Sequence, residues 1–252
     1  MTAISVSQVQ TFLLCPLKYR FRYVDQIPLP FRKAPLAFGT SLHAAIAWFH
    51  KNRMEGVTPD ASEVVAIFDA DWQAQNLVPL VFAGGDSQES LDEKGRELLA
   101  LYVQGTSGAD SPRAVEESFL VDLADPETGE DLSVRLQGIV DLVEDGTLVE
   151  TKTGARLLGP QDLERHLQLS TYALAFFLTL GRIPRLRIDL LLKTKKPRIE
   201  RYETSRTPSD LAWTARLLAA AAQAMASGPF FPCPSWMCGE CEYYAHCQSW
   251  RG

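Results

Sequence analysis

Asp141, Glu150 and Lys152 lie on either side of Asp145-Gly146, within the run Gly138-Ile139-Val140-Asp141-Leu142-Val143-Glu144-Asp145-Gly146-Thr147-Leu148-Val149-Glu150-Thr151-Lys152. Asp-Gly between two apolar runs signals a two-residue hairpin turn. With those two residues as the turn, Glu144 faces Thr147, Val143 faces Leu148, Leu142 faces Val149 and Asp141 faces Glu150. Opposed residues share one side of a sheet, about 4.5–5.5 Å apart at Cβ. Alternation places Lys152 on that side as well. Two carboxylates so close repel each other, and apolar neighbours make their burial more costly. A divalent cation resolves the conflict, because Mg²⁺ takes one or two carboxylates together with waters and phosphate. Such a cation polarises a phosphoryl oxygen and makes water a better nucleophile. Lys152 is placed to hold that water or to meet the charge that builds on phosphorus. The plainer alternative is a salt bridge between Lys152 and one acid at a sheet end; the opposed Asp141 and the apolar setting favour a site.

Elements of two kinds must position this hairpin. The first 110 residues read as mostly helical. A helix is expected over 5–24, capped by Ser5 or Ser7 and kinked or split at Pro16, followed by helices over 38–53, 61–76 and 89–104. A polar loop at 105–112 marks a change of character. Strands follow at 114–123, 132–143 and 147–152, then a helix over 160–180, strands at 186–194 and 198–204, and an Ala/Leu-rich helix over 207–226. That order suits an α/β core with a central mixed β-sheet flanked by helices. The chain reads as one domain over 1–252: an N-terminal helical part (1–110), a core (111–228) and a Cys-rich clasp (229–252).

The chain has 252 residues, 46% hydrophobic and 22% charged, which is ordinary for a globular protein. It carries no run of about 18 apolar residues and no basic-then-apolar leader, so a cytoplasmic protein without a membrane span is expected. The net charge of −6 excludes a surface that is basic all round, but a local cationic groove is enough to hold phosphates. Basic residues bunch at Lys18, Arg20, Arg22, Arg32 and Lys33, and again at Arg182, Arg185, Arg187, Lys193, Lys195, Lys196, Arg198 and Arg201; solvated loops and strand ends explain each bunch taken alone. Of five cysteines, Cys233, Cys238, Cys241 and Cys247 crowd near the end and Cys15 stands apart. An odd count in such a chain points to metal rather than to a disulfide framework. Cys238-x2-Cys241-x5-Cys247 with Cys15 makes four thiolates, a set that suits an iron–sulfur cluster or zinc.

The D-x(n)-E-x-K hairpin resembles the signature of PD-(D/E)XK nucleases, and the chain resembles their RecB-like branch in particular. The segment from Ser7 to Phe21 is similar to the family's N-terminal motif. Gly39-Thr40-Ser41-Leu42-His43 is similar to G-x-x-x-H, Gly138-Ile139-Val140-Asp141 to G-x-x-D, and Gln168-Leu169-Ser170-Thr171-Tyr172 to Q-x-x-x-Y. Each motif is short; their order along nearly the whole chain is specific. The resemblance implies a restriction-endonuclease-like core. It implies Mg²⁺ or Mn²⁺ held by His43, Asp141 and Glu150, with the Thr151 carbonyl as a fourth ligand. Gln168 and Tyr172 would orient Lys152 and the DNA, and one of Glu116 and Glu117, with Glu116 put forward, would serve as an accessory acid. The cysteine pattern resembles the staple of AddB-type and CRISPR-associated nucleases, which implies a [4Fe-4S] cluster on Cys15, Cys238, Cys241 and Cys247. Zinc remains the alternative, and Cys233 is a spare thiol.

The activity so implied is an exonuclease acting on single-stranded DNA or DNA ends, either alone or beside a helicase or recombination partner. Two other readings are a DNA-binding subunit with a silent site and an iron–sulfur redox sensor. The intact Asp141, Glu150 and Lys152 set argues against the first, and the sensor leaves the hairpin acids unexplained.

Overall fold

A computed structural model describes residues 3–82, 84–106 and 112–251. The centre of the polar loop expected at 105–112 lies outside these described residues. Strand β1 (Ala3–Ser5) leads into α1 (Val6–Leu14), with Ser5 as the cap. The Ser5 hydroxyl accepts the Gln8 amide at 3.3 Å, and Gln8 Oε1 accepts the Ser5 amide at 2.8 Å, which satisfies two otherwise free donors. Cys15 is extended (φ −163°), and Pro16 opens α2 (Pro16–Tyr19). The helix expected over 5–24 therefore breaks at residue 15, because proline lacks the N–H that would continue α1 yet suits a first helical turn. A wider helical turn, Arg20–Val24, completes the segment.

Strand β2 (Arg32–Lys33) precedes α3 (Ala34–Met54), which starts four residues before the sequence suggests, with a proline in its first turn. Next come α4 (Ala61–Ala74), β3 (Leu80–Val81), parallel to β2, and α5 (Gln88–Thr106). Neither of the two-residue strands was expected. Helices α3 to α5 enclose Phe38, Phe49, Phe68, Trp72 and Tyr102 in one apolar core.

The main sheet adds β4 (Ala114–Ala124), β5 (Asp131–Glu144), β6 (Thr147–Gly154), β7 (Arg185–Leu192) and β8 (Arg198–Thr204), in the order β1-β5-β6-β7-β8 with β4 also on β5. Strands β5 and β6 form the antiparallel hairpin, and β6 and β7 run parallel. A parallel pair needs a crossover, here α6 (Pro160–Glu164) and α7 (Leu167–Leu180). The single helix expected over 160–180 is split between them, where His166 caps α7. Helix α8 (Pro208–Ser227) follows. The result is the mixed α/β fold expected.

Strand β7 shows why the sheet is covered on both faces. Leu186, Ile188, Leu190 and Leu192 face a core shared with α1, α7 and α8, while Leu191 joins the core of α3 to α5. Period-two alternation makes this division. Strand β1 and α1, from the segment read as the helical part, belong to the main sheet and its core.

The C-terminal segment holds a single 3₁₀ turn (Trp236–Glu240) and α9 (Tyr244–Gln248). It packs through Tyr243 on Leu17 and Phe21. The Leu17 amide donates to the Phe231 carbonyl at 3.1 Å, and Lys18 pairs with Glu242 at 2.8 Å. No helix among the described residues is long and apolar enough to cross a membrane.

Candidate active site

The hairpin has the expected turn and register: Glu144 faces Thr147, Val143 faces Leu148 and Leu142 faces Val149. The ladder stops there, one step before Asp141 and Glu150 would pair. Beyond that point β6 keeps its parallel partner β7, with Glu150 beside Ile188 and Lys152 beside Leu190. The Thr151 amide donates to Asp141 Oδ2 at 2.8 Å, so a carboxylate takes the place of a backbone acceptor.

The groups singled out from sequence come together around this point. Lys152 Nζ donates to Glu150 Oε1 at 2.5 Å and to Gln168 Oε1 at 2.7 Å, and Gln168 Nε2 donates to the Tyr172 hydroxyl at 2.8 Å. Gln168 and Tyr172 lie one turn apart on α7 and share a face. His43 Nδ1 stands 3.4 Å from Asp141 Oδ2. Gly39, one turn before His43, faces Thr153 of β6: a Cβ there would lie 3.3 Å from its Oγ1, so glycine lets α3 approach the strand that carries Glu150 and Lys152. Glu116 falls between the pairs Val115↔Leu142 and Glu117↔Val140, hence across from Asp141. Its φ of +52° is unusual for a residue with a Cβ, and its carboxylate pairs with Lys51. Glu116, Asp141, His43, His50 and Thr151 line a small cavity of ≈ 30 Å³, large enough for one water molecule.

Glu150 is 1% exposed. Burial pushes its carboxyl up to about 7; the Asp141 charge adds to this, and Lys152 and His43 oppose it. For His43, burial disfavours the charged ring, but the Asp141 hydrogen bond and the charges of Asp141 and Glu150 outweigh burial and Lys152, so its pKa is raised. Burial raises the Tyr172 hydroxyl, keeping it a neutral partner for Gln168. Glu150 Oε2 is buried without a hydrogen-bond partner, which is costly for a carboxylate oxygen. As the side chains stand, no three His, Cys, Asp or Glu groups among the described residues converge as a closed ligand set. The reason is local: Asp141 is engaged by the Thr151 amide and His43, and Glu150 Oε1 by Lys152, which leaves Glu150 Oε2 alone.

Sequence reasoning missed Phe119. Its ring lies over Gly138, where a Cβ would sit 2.5 Å from Cζ, and it meets the Tyr172 ring edge-on at 5.7 Å. A strand glycine does signal close approach of another group; which ring approaches is not readable from the sequence. Gly138→Ala is expected to cost about 1–3 kcal/mol by overpacking and to slow any reaction that uses Tyr172. Urea unfolding checks this, and an unchanged midpoint would show that the Phe119 ring has room to shift. His166 was also missed: its Nδ1 accepts the Leu169 amide at 3.3 Å. Burial, Lys152 and Arg206 lower its pKa to about 4, so it is a neutral cap.

Several of the bunched basic residues form ion pairs: Lys18 with Glu242, Lys33 with Glu240, Arg187 with Glu144 and Asp189, Lys193 with Asp86, and Arg198 with Glu200. Arg198 and Lys33 fit solvated strand ends, whereas Arg187 and Lys193 are largely buried in their pairs.

Cys15, Cys233, Cys238, Cys241 and Cys247 are free thiols that line one cavity of ≈ 370 Å³ with Leu17, Phe21 and Tyr243. Burial, then neighbouring cysteines, raises the Cys233 and Cys247 thiols. The Ser235 amide donates to Cys238 Sγ at 3.3 Å. Trp250 packs in the same cluster as Cys15, Cys241 and Cys247, and its indole N–H is buried without a partner.

The fold is similar to that of a candidate exonuclease from Eubacterium rectale, whose crystal structure aligns over 99% of this chain and 90% of that chain, with a TM-score of 0.61 and 12% identity. At that identity the likeness shows the fold. A second solved structure, SSO0001, aligns over 96% of this chain and 94% of that chain at 16% identity, with a TM-score of 0.39. No curated protein matches the sequence. The family model of the PD-(D/E)XK nuclease superfamily matches residues 3–248. The mixed sheet, its helical cover and that match give one answer: the chain belongs to the PD-(D/E)XK nuclease superfamily.

Proposed function

We propose that the protein is a Mg²⁺- or Mn²⁺-dependent deoxyribonuclease that acts as an exonuclease on single-stranded DNA or DNA ends. The observation that carries this reading is Glu150 Oε2, a buried carboxylate oxygen without a partner beside Asp141 and His43. A hard divalent cation fits that lack, since it accepts carboxylate oxygens and carbonyls and tolerates one imidazole. His43, Asp141, Glu150 and the Thr151 carbonyl would hold it, with Glu116 as an accessory acid across from Asp141. When bound, such a cation supplies Lewis-acid polarisation of the phosphoryl oxygen.

The chain's own groups do the remaining work. Lys152 orients the attacking water and meets charge on the phosphate oxygens. Gln168 holds Lys152, and Tyr172 holds Gln168. End-directed action accords with the exonuclease naming of the Eubacterium rectale protein that shares this fold. DNA is the proposed partner, and a helicase or recombination protein is the kind of partner that would supply ends.

The clasp is proposed to hold a [4Fe-4S] cluster on Cys15, Cys238, Cys241 and Cys247, or zinc in its place. In support, these thiols line one cavity, and a buried unpartnered N–H on Trp250 suits a sulfur acceptor nearby; as the side chains stand, no three of the thiols among the described residues converge on one point, so binding would draw them together.

Incubating the purified protein with end-labelled single-stranded DNA in Mg²⁺, in Mn²⁺ and with chelator tests the activity. Cleavage that needs the metal is expected, and the product ladder separates end-directed from internal cutting. DNA left intact under every metal condition would sink the catalytic reading.

A further inference from the structure

Strand β5 has β4 along one edge over residues 135–143. Its other edge is shared by two strands: β1 pairs with Arg135, Leu136 and Gln137, and β6 pairs with Leu142, Val143 and Glu144. Residues 138–141 have no strand on that side. The interruption begins where Ser5 ends β1 and turns into α1, and it closes at Asp141. A groove of ≈ 710 Å³ opens here, lined by Ser5, Ser7, Ser118, Gln137, Ile139 and Tyr172, among others. Phe119 and Gly138 also line it.

Three properties of the groove bear on what it takes. It adjoins the candidate active site through Tyr172, which lines it and is hydrogen-bonded to Gln168, which holds Lys152. No acidic or basic side chain lines it, so it offers no charge to a phosphate. Its lining mixes hydroxyl and amide groups with the exposed apolar side chains Leu120 (57%) and Ile139 (54%) and the partly buried ring of Phe119, while Tyr172 is itself buried. Flat apolar surface with neutral hydrogen-bonding groups suits a nucleobase, which stacks on one face and bonds at its edge. A base paired within a duplex has its faces covered by stacking and its Watson–Crick edge occupied.

We infer that this groove, set in the interruption between β1 and β6, binds an unpaired base of the strand being cut, one or two nucleotides from the scissile phosphate. The inference rests on the nuclease reading for its substrate and adds the part of the site that selects single strands. Ser118→Trp blocks the groove from an exposed strand position that accepts aromatic residues and leaves Glu150, Lys152 and Gln168, which do not line the groove, in place.

The experiment uses end-labelled oligodeoxynucleotides carrying one abasic residue, moved a position at a time. Cleavage is followed in Mn²⁺, and binding is followed by fluorescence anisotropy in chelator. At one position wild type should lose about tenfold or more in cleavage and in binding, the scale of one lost base contact. Ser118→Trp should raise KM for intact single strands and remove that dependence, with an unchanged unfolding midpoint. Equal cleavage and binding at every abasic position would overturn the groove while leaving the nuclease standing. Base-dependent binding without cleavage would support the groove and overturn the catalytic reading.

Discussion

Lys152→Ala should abolish cleavage, with kcat lower by about 10³-fold and KM for DNA little changed. The ammonium touches Glu150 Oε1 and Gln168 Oε1 and is the cation held at the centre of the site. Removing one preorganised donor to a developing oxyanion costs about 10²–10³ in kcat. Lys152 also lowers the Glu150 pKa, so its loss further hinders ionisation of the proposed metal ligand. Single-turnover kinetics at saturating Mn²⁺ measure both parameters. A rate within threefold of wild type would remove Lys152 from the chemistry and return the pair to a salt bridge. The pH profile carries the same argument. Glu150 titrates near 7 in the folded chain against 4.5 ordinarily, so between those values the folded state holds a proton that the unfolded state has lost. Stability of the metal-free protein therefore declines as pH rises through that window. Metal binding needs the carboxylate, so affinity strengthens over the same window and a proton is released. Calorimetric titration in two buffers of different ionisation enthalpy reads that proton directly.

The second large effect is expected at the other end of the fold. If the clasp holds the proposed metal, Cys15→Ser should strip it and lower stability by about 2–5 kcal/mol, comparable with losing a covalent cross-link. Cys15 precedes Leu17 of α2 and Phe21 of the wider turn after it, which carry the contact with Tyr243, so a centre shared with Cys238, Cys241 and Cys247 would tie the two ends of the chain together. Closing so long a loop removes much entropy from the unfolded chain. The apolar contact of Leu17, Phe21 and Tyr243 would persist, which is why the loss should be partial rather than complete. Metal analysis beside unfolding curves checks this. Wild-type protein prepared without oxygen and still free of iron and zinc would end the proposal of a metal clasp. Retention of metal by Cys15→Ser would shift the ligand set toward Cys233, which lines the same cavity.

The hairpin was legible because its information is local. Asp145-Gly146 sets the turn, Gly146 takes the positive φ of 71° that such a turn needs, and alternation then dictates which side each acid faces. The strands expected at 114–123 and 198–204 and the helices expected at 38–53, 61–76 and 207–226 were legible for the same reason: a repeating pattern of apolar residues reports a buried face. Strand β1 was not. Three residues, Ala3–Ser5, carry no period, and their partner lies more than a hundred residues away at Arg135–Gln137. The splits at Cys15 and His166 show how a single residue redirects a helix that composition alone would continue.

By itself the sequence determined the identity of the chemical groups, their order along the chain, and the face of the hairpin on which Asp141, Glu150 and Lys152 fall. Tertiary structure alone decided which of those groups are satisfied. It gave Asp141 the Thr151 amide, gave Lys152 both Glu150 and Gln168, and left Glu150 Oε2 buried and bare. It also set Phe119 between Gly138 and Tyr172 and opened the edge of β5 between β1 and β6. The physical reason is that backbone turns and side-chain periodicity act over a few residues. Desolvation, packing and the pairing of distant strand edges depend on every segment that closes around the site.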